Sequence, residues 1–339
     1  MVTDVVALSP GESASDVLLA VTGVGDVRNT KNGKQFLDAT VVYRSDEDIS
    51  RTFSLRIWDY QQVSDWFGPR EIIRVKKVDV GKFNDKKQFT TEGKLVDQQL
   101  LDMDTYMNLV PGSYWPKDYL VSGINEYIHK VSNPNYRSIV GHCYNLVHKQ
   151  LAKQGLDLME MPAAIGMHHA FVGGLMTHTL SMLKTANGVL DNTIYQKYFD
   201  SSLIYAGILL HDLGKSFCYT NELDHESTVA GSLVDHIIII DGLICQVAQD
   251  VYGVSYLDLL NNNEFLKLRH VVLAHHGKLE WGSPIKPQLP EAWFIHQFDA
   301  GDAHFEVLRE SIEDPQVNGQ GFTGKIFPLD NSRLFLSKN

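Results

Sequence analysis

The sequence predicts a multidomain chain of α and β structure: a five-stranded β-barrel at the N-terminus, followed by an all-α helical bundle. Three observations carry this expectation. Residues 17–96 hold short runs rich in β-branched and aromatic residues, alternating with polar ones and separated by turn signals. From residue 119 onward the apolar period lengthens to that of helices. Between the two, LDMDTYMNLVPGSYWPKD contains two prolines and a glycine and keeps neither period. The expected boundaries are 1–100 for the barrel, 101–118 for a linker, 119–315 for the helical domain and 316–339 for a C-terminal tail that packs on it.

The barrel strands are read from VLLAVTGVGDVRNT, FLDATVVYRS, RTFSLRIWD, IIRVKKVDVGKF and KQFTTEGKLV. Lys31-Asn32-Gly33-Lys34 and Asn84-Asp85-Lys86-Lys87 supply hairpin turns. Five short strands within 80 residues suit a small closed barrel, and the OB-fold is the common barrel of this kind that binds single strands. Lys31, Lys34 and Phe36 in the first hairpin are candidate nucleic-acid contacts, with Trp58 and Tyr60 on the third strand. Cations beside aromatics are what a groove for unpaired bases requires, although aromatics in so small a barrel also serve its core.

The helices are expected at Tyr119–Val131, Tyr136–Gln154, Gly173–Leu190, Ser201–His211, Thr228–Val251, Glu264–His276 and Pro290–Ile312. Ser201–His211 is apolar on nearly every side and reads as a buried helix with a serine cap. It delivers His211 and Asp212 side by side, then Gly214 as the expected helix stop and Lys215 beyond it.

Charge and composition narrow the function. The chain carries a net charge of −11, which argues against broad non-specific binding of nucleic acid. Residues 1–100 hold 14 Lys and Arg against 15 Asp and Glu, net −1, and the remainder 16 against 26, net −10. A polyanion should therefore meet the barrel first. Cys143, Cys218 and Cys245 are widely spaced and form no CxxC pair, which suits a reducing cytoplasm. No apolar run is long enough for a membrane span and no signal peptide is evident, so a cytoplasmic location is expected.

Histidines then fall on successive helices in apolar company. His178 shares a stripe with Leu175 and Met182; His236 opens an isoleucine run; His275 and His276 close a helix; Asp299 lies in the last helix. One such residue alone is ordinarily a core histidine bonded to a carbonyl. Together with His211 and Asp212 they make seven donors. Imidazole and carboxylate without thiolate select hard to borderline divalent ions, and seven donors exceed the needs of one.

The order His178, His211-Asp212, His236, His275-His276, Asp299 resembles the binuclear form of the HD phosphohydrolase superfamily. More closely, the chain is similar to the YhaM-type 3′–5′ exoribonucleases, which join an OB-fold to an HD domain. The likeness runs through TKNGKQFLDATV, GMHHAFVGGLMTHTLSML, YAGILLHDLGK, LAHHGKLEWGSP and FTGKIFPLDNSRLF. One departure is Asp235, where the family has Gly.

The resemblance implies an ion held by His178, His211, Asp212 and Asp299, with Asp212 bridging to a second held by His236, His275 and His276. It implies Mn2+ as the first choice, with Co2+, Mg2+ and Fe2+ as alternatives. A hydroxide activated by both ions would cut single-stranded RNA, with single-stranded DNA open as a second substrate, to nucleoside monophosphates. Asp212 and Lys215 are the catalytic candidates, Lys215 acting on a phosphate oxygen. His168, His169 and Trp281 are candidate substrate contacts, and Asp302 is expected behind the ligands. His129, His142, His148, His225, His270, His296 and His304 are read as structural or surface residues. A homo-oligomer is compatible with the sequence, a membrane partner is not expected. Two other readings stay open: an HD phosphodiesterase acting on a small nucleotide or cyclic dinucleotide, and a binding module with an inactive site.

Overall fold

The structure is a computed structural model that describes residues 4–30, 32–44, 50–68, 71–83, 86–99, 105, 109–110, 112–165, 169–192, 194–220, 227–313 and 320–336. Two compact units divide the chain, the second beginning at Ser113, and each has its own hydrophobic core.

The first unit is built from β1 (Ser13–Val24), β2 (Arg28–Asn29), β3 (Gln35–Arg44), β4 (Ser50–Trp58), β5 (Ile72–Phe83), β6 (Lys86–Glu92) and β7 (Val96–Gln98). Five strands follow one another in the order β1-β3-β4-β6-β5, and β5 pairs back onto β1, so the sheet closes. The β4–β6 pairing is parallel and the other pairings are antiparallel. Strand order thus departs from chain order after β4, the Greek-key trait of an OB-type barrel. Alternation explains the interior. Val17, Leu19 and Val21 of β1 and Phe53, Leu55 and Ile57 of β4 point inward at every second position. Closure also pairs the strand edges that would otherwise stay open.

The second unit is helical. It contains α1 (Lys117–Lys130), α2 (Pro134–Ala152), α3 (Gly174–Asn192), α4 (Ser201–His211), α5 (Val229–Leu233), α6 (His236–Tyr252), α7 (Tyr256–Leu259), α8 (Asn263–Leu273) and α9 (Pro290–Glu313). Helix α4 is central: it packs against α1, α2, α3, α8 and α9, and every residue from Ser202 to His211 is buried. This is why the segment is apolar all round rather than on one stripe. No helix among the described residues is long and apolar enough to cross a membrane.

Four local expectations are corrected. The cap of α4 is Asp200, whose side chain accepts from the Leu203 amide, not a serine. Gly214 does not stop α4. It lies within a 3₁₀ turn, Leu213–Phe217, and a Cβ there would sit 2.2 Å from the His236 carbonyl oxygen. Its role is close approach of this turn to α6. The single helix expected over Thr228–Val251 is broken at Asp235, whose φ of 69° is positive; α6 starts afresh at His236. Likewise α8 ends at Leu273, and His275 and His276 occupy the turn behind it.

Candidate metal centre

Five elements bring the seven donors together. His178 comes from the second turn of α3, His211 and Asp212 from the end of α4, His236 from the first position of α6, His275 and His276 from the turn after α8, and Asp299 from α9. Gly277 makes that turn possible: its φ is +76°, and a Cβ would lie 2.3 Å from the ring of His296. The donors form two sets. In one, His178 Nε2 lies 3.3 Å from His211 Nε2 and 3.2 Å from Asp299 Oδ1. In the other, one ring nitrogen from each of His236, His275 and His276 lies within 4.8 Å of the others.

Asp212 stands between the two sets. Its Oδ2 is 3.6 Å from His178 Nε2 and 3.4 Å from His211 Nε2. Its Oδ1 is 3.4 Å from His236 Nε2 and 3.6 Å from His275 Nε2. Each set is thus offered one oxygen of the same carboxylate.

The far side of every ring is already engaged. The Nδ1 atoms of His211, His275 and His276 donate to the carbonyls of Ile208, Val272 and Trp281 at 2.8, 2.7 and 2.8 Å. His178 Nδ1 donates to Asp302 Oδ2 at 2.8 Å, and His236 Nδ1 to Asp235 Oδ1 at 2.5 Å. A carbonyl only accepts, so in His211, His275 and His276 Nδ1 carries the proton and Nε2 keeps its lone pair for the centre. This is how metal-binding imidazoles are oriented from behind.

The donors fit divalent metal on a direct observation. Asp212 Oδ1, His236 Nε2 and His275 Nε2 are buried and make no hydrogen bond, an arrangement that is costly unless a cation is shared among them.

Electrostatics reinforce the division. Burial works to raise the Asp212 carboxyl, yet Lys215 and His211 hold it well below the usual carboxylate range. Burial opposes charge on His178 too, but Asp299 and Asp302 raise it to about 10. In the other set burial lowers His236 and His275. It also pushes His276 down to about 4, with His275 adding to the effect.

Comparisons agree with this geometry. The HD domain family matches residues 175–303. The 3'-5' exoribonuclease YhaM of Bacillus licheniformis is 31% identical over 307 residues, covering 90% of this chain and 89% of that protein. The 3'-5' exoribonuclease YhaM of Bacillus subtilis is 30% identical over 328 residues, covering 96% and 95%. The chain belongs to the YhaM family.

The backbone of Asp235, at φ 69° and ψ 153°, lies outside the left-handed helical basin in a region that glycine adopts freely and that strains aspartate. Its carboxylate accepts from both the amide and Nδ1 of His236, and His236 in turn lowers the Asp235 carboxyl to about 2. Asp302 sits behind His178 and also accepts from Ser181 Oγ at 2.5 Å.

The other candidate residues are distributed as follows. Trp281, 51% exposed, lines a cavity of about 510 Å³ together with Lys215, His276 and Asp299. Lys215 Nζ lies 2.7 Å from Asp212 Oδ2. His169 is fully buried, with its Nε2 3.5 Å from Asp302 Oδ2, so it supports the ligand shell and offers no surface to substrate. His168 and Lys31 lie outside the described residues. Phe36 is buried, and the Arg56 guanidinium covers its ring at 4.0 Å, leaving that face unavailable to a base. Lys34 Nζ stands 5.6 Å from the Trp58 ring centroid.

Sequence reasoning missed Phe83. It ends β5 beside a polar turn, is 60% exposed, and shares a barrel cavity of about 310 Å³ with Arg56 and Lys87. An aromatic next to a lysine-bearing hairpin was the available signal. It also read His296 and His304 as structural or surface residues, yet both line the cavity at the metal donors.

Proposed function

We propose that the chain is a metal-dependent 3′–5′ exonuclease that hydrolyses single-stranded RNA to nucleoside monophosphates. The observation that carries this reading is the division of Asp212 between two donor sets. His178, His211, Asp299 and Asp212 Oδ2 would hold one divalent ion; His236, His275, His276 and Asp212 Oδ1 would hold the second. Bound there, the pair supplies Lewis acidity to the scissile phosphate and a nucleophile drawn from water at neutral pH. The mixed imidazole and carboxylate set suits a hard to borderline divalent ion, and we take Mn2+ as the first candidate from the family resemblance.

The residues of the chain do the rest. Asp302 and Asp235 hold the rings of His178 and His236 in register. Lys215 lines the cavity with its ammonium beside the bridging carboxylate, where it meets a non-bridging phosphate oxygen and steadies the charge that grows in the transition state. Residues 1–100 act as the strand-binding domain and residues 119–315 as the cutting domain. The near-neutral barrel receives a polyanion that the rest of the chain, at net −10, repels away from its metals.

A 5′-labelled oligoribonucleotide with a free 3′ end tests the reading. With Mn2+ it should be shortened stepwise with release of monophosphates, and with a chelator it should stay intact. Turnover of a cyclic dinucleotide without any shortening of the oligomer would overturn the exonuclease reading. A matched DNA oligomer decides whether the sugar is discriminated.

A further inference from the structure

The cavity at the metal donors has a wall that metal chemistry does not use. Phe327, Pro328 and Asp330 of the C-terminal segment line it along with Trp281, Lys215 and Asp299. The segment reaches this position as a small closed loop. Phe322 pairs with Phe335 and Ile326 with Ser332, and the Phe322 and Phe335 rings meet at 5.1 Å. At its tip the turn Phe327–Leu329 is followed by two left-handed residues, Asp330 at φ 52° and Asn331 at φ 59°.

The residues at that tip are odd for a merely structural loop. Phe327 is 78% exposed where it borders the cavity. An aromatic face left open beside a phosphodiester site is available to a base. Trp281 is less free for this purpose, since the Lys278 ammonium sits 3.9 Å from its ring centroid. Asp330 carries a carboxylate, which can only accept hydrogen bonds and repels phosphate. On a nucleotide its partners are hydroxyl or amine donors, and a chain end offers two adjacent ribose hydroxyls. A volume of about 510 Å³ suits one such unit rather than a continuing strand.

We propose that the C-terminal segment is the seat of the 3′-terminal nucleoside. Phe327 stacks on its base, and Asp330 accepts from the 2′- and 3′-hydroxyls and turns away an end that carries a 3′-phosphate. The assignment rests on the exonuclease reading above.

The test uses the full-length protein with Mn2+ and three 5′-labelled oligoribonucleotides of one sequence. One ends in a 3′-hydroxyl, one in a 3′-phosphate, and one in an abasic residue with a 3′-hydroxyl. Asp330→Asn should narrow the preference for the 3′-hydroxyl end over the 3′-phosphate end by about fivefold, as one removed unit-charge repulsion across a wet pocket implies. Phe327→Ala should raise KM about tenfold for the base-bearing end, in the range expected when base–aromatic stacking is removed, and leave KM for the abasic end unchanged. An unchanged phosphate preference in Asp330→Asn, or a Phe327→Ala loss equal on both ends, overturns the assignment. If the wild-type protein hydrolyses bis-(p-nitrophenyl) phosphate but shortens no 3′-hydroxyl oligomer, the exonuclease reading fails and takes this assignment with it.

Discussion

Lys215 and His178 are the residues at which metal holding and catalysis can be separated. Lys215 supplies charge but no ligand atom, so Lys215→Ala should keep its metal while single-turnover hydrolysis slows on the order of 10²-fold. If the lysine merely balances Asp212 electrostatically, the melting temperature would fall and the rate would hold. His178 bears on proton release. Asp299 and Asp302 keep its proton until pH nears 10, whereas burial leaves His276, at about 4, neutral at pH 7. Filling the His178 set must expel that proton, and its apparent affinity should climb about tenfold per pH unit across the neutral range. Calorimetry at pH 7 in buffers of different ionisation enthalpy should find at least one proton released per chain; none released would contradict the assignment of His178.

At the scale of elements, the centre depends on how closely the turn after α4 approaches α6. Gly214→Ala would place a Cβ 2.2 Å from the His236 carbonyl oxygen, and backbone has to move. We expect a loss of about 3 kcal/mol, at the upper end for overpacking, with the His236 set losing its ion before the His178 set. Thermal unfolding and metal analysis on the same sample check both; a variant of wild-type stability with full metal would refute the packing account. Most of the helices were legible in the sequence, and the seven candidate donors stood out because buried histidines on apolar stripes break the pattern they sit in. The sequence singled out Asp235 but not the helix break there, since a positive φ inside an apparent helical period leaves no mark in composition. Nor did it reveal the carbonyls of Ile208, Val272 and Trp281 behind the rings, as every residue has one. Phe327 is 115 positions from Asp212 in sequence, and only the folded chain puts both beside one cavity.

For the whole molecule, the proposed role of the barrel in binding long substrates rests on the uneven charge. Phe83→Ala and Lys34→Ala, made together in the full chain, should weaken binding of a long oligomer about tenfold or more. The same change should leave hydrolysis of a dinucleotide untouched. The salt dependence of binding should flatten by about 0.7 in log–log slope, because one phosphate fewer is neutralised once the Lys34 ammonium is removed. Equal losses on long and short substrates would assign the barrel a structural role only. The most direct test of the two-ion centre is the metal content of the purified chain with and without Asp212. The wild-type protein should bind two Mn2+ per chain, and Asp212→Asn, folded and of the same size, should lose both, because an amide oxygen bridges two cations poorly. A folded Asp212→Asn protein that still holds two ions per chain would contradict the account.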